Sequence, residues 1–241
     1  MIRLNGVAPV GKSQMGTSTS GVISPPIPGF DVQMLGKLQP IDVRPIWKLA
    51  PQFDTRNNGD VGVCWGSRFL LITNSAFSDD LLFHRNFEPY DRFLSVTGMR
   101  GRVVFFCIYD SGDSYGFSVF EDGQAIRHRL YSLGGPEPQS FAHGTPLAIE
   151  QPWHPAVLTE EEKRDFDPEE FDELFRHQES QKLLSEHGLS SLLVDAILKD
   201  EFGFSPKDGV VDHQTVQSQL YRAIQEEQPK ADRPWWRRIT R

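Results

Sequence analysis

The fold is decided by residues 102–131, where Arg102-Val103-Val104-Phe105-Phe106-Cys107-Ile108-Tyr109 leads through Asp110-Ser111-Gly112-Asp113 into Tyr115-Gly116-Phe117-Ser118-Val119-Phe120, and Glu121-Asp122-Gly123-Gln124 into Ala125-Ile126-Arg127-His128-Arg129-Leu130-Tyr131. Asp122-Gly123 sits between two runs rich in β-branched and aromatic residues. A two-residue type I′ hairpin turn needs two residues that tolerate positive φ, and Asp-Gly supplies them. The stretch is read as a β-meander.

Working outward, the chain of 241 residues is long enough for a medium-sized domain with an appendage. Seventeen Phe and five Trp supply the bulk of a packed interior. The formal charge of −8 opposes a general affinity for nucleic-acid phosphates and fits a basic protein partner. Met1 to Asn5 lack the apolar core of a secretory signal, and no run reaches the roughly 18 apolar residues of a membrane span. The expectation is a cytoplasmic protein with no membrane contact, in which Cys64 and Cys107 are reduced core residues.

Four parts are expected. Residues 1–40, rich in Gly, Ser, Thr and Pro, read as an extended arm. Residues 41–155 read as an antiparallel sheet domain, with strands at Ile41 to Trp47, Asp60 to Gly66 and Arg68 to Thr73 besides the meander, and a mixed stretch from Asp79 to Phe93 whose start, Asp79-Asp80-Leu81-Leu82-Phe83, is one helical turn or a loop. Residues 156–232 read as helical. Asp167-Pro168-Glu169-Glu170 is a helix start, followed by Phe171, Leu174 and Phe175 on one face; a second helix is expected from Leu189 to Asp200 and a third from Asp212 to Gln225 with Val216, Leu220 and Ile224. Residues 233–241 form a Trp/Arg tail. The fold class is α+β: a mainly antiparallel sheet followed by a three-helix C-terminal section.

Gly6-Val7-Ala8-Pro9-Val10-Gly11-Lys12-Ser13 matches the phosphate-loop pattern letter for letter, but a working loop joins a buried strand to a helix. Gln14 to Gly21 are poor helix formers, so the match is read as inert. The seven histidines show no zinc-site spacing; Glu173 with His177, four apart on the first helix, reads as a solvated pair rather than half a metal site. Asp79, Asp80 and His84 read as a helix N-terminus before an acid/base cluster. No catalytic residue, metal or cofactor is assigned.

Two charge features are better candidates. Between Glu160 and Glu173 nine acids face two bases, with Glu169, Glu170 and Glu173 in the first helix; the stretch is either a solvated helix start or a dock for a basic partner. Trp235, Trp236, Arg237 and Arg238 lie in a tail with four Arg in all, which either folds back on its own domain or anchors another molecule.

Arg102 to Tyr109, Tyr115 to Phe120, Asp122-Gly123, Arg127-His128-Arg129 and Gly144-Thr145-Pro146-Leu147-Ala148-Ile149-Glu150 together resemble small bacterial sheet domains of unknown function, some of them on the immunity side of secreted-toxin systems. The resemblance covers about a fifth of the chain. It implies a binding protein and carries no site. The expected function is a non-catalytic acidic binding protein, of immunity or adaptor type, that covers a basic protein. An enzyme of undetected type, such as a hydrolase, is the alternative, and a phage or secretion-machine component a third.

Overall fold

The computed structural model describes residues 18–38, 46–49, 60–74, 82–83, 88–110, 114–133, 139–164, 174–206, 209–210 and 217–224. The meander is present strand for strand as β5 (Arg102–Tyr109), β6 (Ser114–Glu121) and β7 (Gln124–Ser132). Asp122 and Gly123 take φ of 48° and 84°, the two left-handed residues a type I′ turn demands. The remaining strands of the large sheet are β1 (Ser18–Ser24), β2 (Ile46–Leu49), β3 (Asp60–Trp65), β4 (Leu70–Thr73), β8 (Gln139–Gly144) and β14 (Gln217–Ile224). Their order is β2-β14-β3-β4-β1-β5-β6-β7-β8, and every neighbouring pair is antiparallel.

Both faces of the middle of this sheet are covered. On one, Val22, Val63, Ile72, Phe105 and Phe120 pack against Val32 and Leu35 of a 3-10 helix (Val32–Leu38) and against Tyr90, Phe93 and Leu94 of helix α1 (Glu88–Thr97). On the other, Ile23, Leu71, Phe106, Ile108, Phe117 and Val119 pack against Leu189, Leu193, Ile197, Leu198 and Phe202 of helix α2 (Glu186–Phe202). Burial on both faces explains why β5 is apolar without alternation. At about 1.5 to 3 kcal/mol per large buried side chain, docking rather than propensity holds α2. Its ends are defined locally: the Ser185 hydroxyl accepts from Gly188 N–H at 3.2 Å, and Gly203 closes the helix at φ 65°.

A three-stranded sheet lies beside α2, in the order β11 (Leu183–Ser185), β10 (Leu174–His177), β9 (Trp153–Pro155), and β12 (Phe204–Ser205) pairs with β13 (Gly209–Val210). The α+β class and the antiparallel sheet therefore stand, while the three-helix C-terminal section does not. Of the three expected helices, the second is α2, longer at both ends. The first overlaps a strand: Leu174–His177 pairs with both β9 and β11, so Phe175 and Leu174 face opposite sides. The third is β14. Of its expected markers, Leu220 and Ile224 lie in β14 four apart, a spacing that serves one side of a strand as well as of a helix, and Val216 lies outside the described residues.

The N-terminal part is also corrected where it is described. Ser18–Ser24 is an interior strand of the large sheet, paired with β4 on one side and β5 on the other. Its small residues fit the crowding there. A Cβ on Gly21 would run into the Ile72 carbonyl, Ser20 and Ser24 are buried, and the Tyr109 hydroxyl donates to Ser20 Oγ at 2.7 Å. Cys64 and Cys107 are free thiols that belong to opposite faces of the sheet. Three strand steps separate β3 from β5, roughly 14 Å, well beyond disulfide reach. No helix among the described residues is long and apolar enough to cross a membrane.

Candidate functional site

Strand β7 carries two arginines on the face that looks toward α2, two residues apart in an otherwise apolar layer. Arg127 is buried, and its guanidinium forks onto Glu150: Nε donates to Oε1 at 2.9 Å and Nη2 to Oε2 at 2.5 Å. Nη1 donates to the carbonyls of His143 (3.3 Å) and Gly144 (3.1 Å), which clasps β7 to the end of β8. Glu150 is held from the other side by the Leu147 N–H at 3.1 Å, inside a turn closed by Glu150 N–H to the Leu147 carbonyl. Arg129 reaches the next carboxylate: Nη2 lies 2.6 Å from both oxygens of Glu186, and the guanidinium stands over the Phe175 ring at 5.6 Å. Glu186 opens α2, where the helix N-terminus favours negative charge, and accepts from Ser190 Oγ at 2.9 Å.

Two cations and two carboxylates are thus enclosed together, with Arg129 3.6 Å from Glu150 linking the pairs. Burial of any one charge alone would be costly; in this set each has an opposite partner. The arrangement fastens α2, β7, β8 and the Leu147 turn to one another. Among the described residues no group of three or more His, Cys, Asp or Glu is placed to hold a metal ion.

Beside it, the Tyr115 hydroxyl donates to Asp110 Oδ1 at 3.0 Å and lies 2.9 Å from His187 Nε2. A hydroxyl has one proton, so with that proton on Asp110 the imidazole Nε2 donates to Tyr115. The two rings meet edge to face at 4.7 Å. This relay joins the turn end of the β5–β6 hairpin to the first turn of α2.

The opposite face of the sheet holds a buried chain of hydroxyls and imidazole. Tyr90 Oη is 3.0 Å from Ser118 Oγ, which is 2.7 Å from His128 Nδ1. By distance Ser118 and His128 resemble a nucleophile and its base. Their side chains are no more than 1% exposed, and Tyr90 and Phe141 close over the imidazole, so the trio is packed as core. Burial pushes His128 down to about 4, helped by the nearby His143 and Arg127 and opposed by a hydrogen bond to the Leu82 backbone, so the ring is neutral at pH 7. Burial likewise raises Tyr90.

The residues singled out from sequence fare unevenly. Trp235, Trp236, Arg237, Arg238, Glu169, Glu170 and Glu173 lie outside the described residues, as do Gly6 to Ser13, Asp79, Asp80 and His84. His177 is described, on β10 rather than a helix, edge to face with Trp153 at 4.9 Å. Of the acid stretch, Glu162 forms a reciprocal cap with Thr159, accepting its N–H at 2.9 Å while the Glu162 N–H donates to Thr159 Oγ1 at 3.3 Å. It also accepts from Arg176 at 2.9 Å, and these bonds, the Thr159 N–H first, hold its carboxyl below the usual range. Glu160 pairs with Lys163 at 2.7 Å. The enclosed charges on Glu150 and Glu186 were not singled out as sites, although two arginines at i and i+2 in an apolar strand are a signal that carboxylates must meet them. No protein-family model, curated protein or solved structure matches this chain.

Proposed function

We propose that this chain is a non-catalytic acidic binding protein, of immunity or adaptor type, which covers a basic protein partner. The observation that carries the reading is the mutual pairing of the enclosed charges: Arg127 and Arg129 are consumed by Glu150 and Glu186 in bracing the fold. The cluster therefore works as a rigid frame, and the net charge of −8 is left to the rest of the molecule. A rigid acidic surface meets a basic partner with fast, salt-sensitive association, and a few aromatic anchors supply the strength. Glu169, Glu170 and Glu173 are assigned to steering, and Trp235, Trp236, Arg237 and Arg238 to anchoring.

Capture from native lysate followed by mass spectrometry tests this. One stoichiometric basic protein is expected, with association slowed at least tenfold when Glu169, Glu170 and Glu173 are all changed to Lys. Removal of residues from Arg233 onward is expected to lose the partner without lowering the melting temperature. A melting temperature that falls on truncation would return the tail to its own domain. A retained small molecule with no protein partner would overturn the reading in favour of an enzyme.

A further inference from the structure

Strand β14 is flanked on both sides, yet most of its described side chains are exposed. It pairs with β3 from Gln217↔Trp65 to Arg222↔Asp60 and with β2 from Tyr221↔Leu49 to Ile224↔Ile46. Of its described side chains, Gln217, Ser218, Gln219 and Arg222 are exposed and Leu220 and Tyr221 half-buried, whereas six of the eight residues of β5 are buried. Besides the backbone hydrogen bonds of its ladders, which any extended segment can make, and Tyr221 packed at the edge of the core, the strand carries a specific ion pair. Arg222 forks onto Asp60 through Nε to Oδ1 and Nη2 to Oδ2, both at 2.7 Å. The Asp60 side chain is 0% exposed, and the Asn74 amide fixes the same residue by donating to its carbonyl at 2.8 Å.

We propose that the gap between β2 and β3 is a strand-accepting slot, which β14 fills in this chain and yields to an extended segment of a basic partner carrying an arginine opposite Asp60. Strand addition supplies affinity through the main chain and takes specificity from side-chain positions. Here one position dominates. A buried carboxylate without a cation is strongly disfavoured, and the parallel pair of bonds fits a guanidinium rather than the point charge of lysine. The net charge of −8 draws cationic segments to the slot. A strand whose described side chains are mostly exposed opens more readily than the buried strands beside it, which is what exchange requires. The charge of the partner rests on the reading proposed above; the slot itself does not.

The probe is a labelled peptide of residues 217–224 added to the full-length protein. Saturable binding is expected, at least tenfold weaker for the peptide with Arg222→Ala. Ser218 faces Cys64 in the ladder, so oxidised Ser218→Cys should lock β14 in place, abolish peptide uptake and restore it on reduction. Amide hydrogens of 218–224 should exchange at least a hundredfold faster than those of β5. Absent binding at millimolar peptide, indifference to Arg222→Ala or to the lock, failure of the disulfide to form, or β14 protection equal to that of β5 would each overturn the slot. A dimer that swaps β14 between copies and takes up no peptide would assign the slot to a second copy and overturn the partner. Failure here leaves the lysate capture unaffected, and loss of the captured partner leaves peptide uptake measurable.

Discussion

Acidifying the wild-type protein and a His128→Gln variant in parallel measures the burial of one imidazole. An unfolded histidine takes its proton near pH 6.5, whereas His128 in the fold is pushed down to about 4. Between these values the unfolded chain holds one more proton than the folded one, so acidification favours unfolding by about 1.36 kcal/mol per pH unit. Over the interval the wild type is expected to lose about 3 kcal/mol from this residue, the loss beginning below pH 6.5 and levelling off below about 4. The Gln variant keeps a polar group for Ser118 but does not titrate. Carboxylates that protonate in the same range are common to both proteins and cancel in the difference. Urea unfolding at half-unit pH steps gives the two stability curves, and their separation should shrink toward low pH. Parallel curves would show that His128 takes its proton as easily folded as unfolded, and the account of the Tyr90–Ser118–His128 chain would fail.

Gly123→Val places a β-branched residue at φ 84°, and should cost on the order of 1 to 3 kcal/mol in thermal or urea unfolding; a variant as stable as the parent would refute the turn assignment. Glu150→Leu alone strands the Arg127 guanidinium and should cost about 3 to 5 kcal/mol, while Glu150→Leu with Arg127→Met should recover most of that loss, so an additive double-mutant cycle would contradict the pairing. Burial raises the Cys64 thiol from 9.0 to about 11, so at pH 8 its alkylation by iodoacetamide should run about a hundredfold slower than that of a free thiol, and a rate equal to the unfolded chain would be the adverse result.

What could be read from residues alone follows the range of the signal. The meander was legible because Asp122-Gly123 and the flanking β-rich runs specify a hairpin within thirty or so residues. Helix α2 was legible in its middle, where Leu192, Leu193, Ala196 and Ile197 recur, and misread at its start because Gly188 looks like a stop while Ser185 is the cap. Helix α1 was missed although Tyr90, Phe93, Leu94 and Thr97 are spaced for one face, since the stretch before it carried the more obvious acids. Leu174–His177 and Gln217–Ile224 became strands because partners elsewhere in the chain completed their ladders, which outweighs local propensity. The ion-pair cluster was out of reach for the same reason: Arg127 meets Glu150 across 23 positions and Arg129 meets Glu186 across 57.

Arg222 and Asp60 are 162 positions apart. At about 5 to 20 residues per second of synthesis, Asp60 is added roughly 8 to 30 seconds before Arg222, far longer than the microseconds in which a hairpin such as β5–β6 closes. The nascent protein therefore passes through a stage with the meander formed and with the facing margins of β2 and β3 still lacking the strand that joins them. A carboxylate that awaits its cation and two margins that await hydrogen bonds are an invitation to chaperones and to other nascent chains. A chain released after residue 206 should bind holdases, and the full-length chain should not.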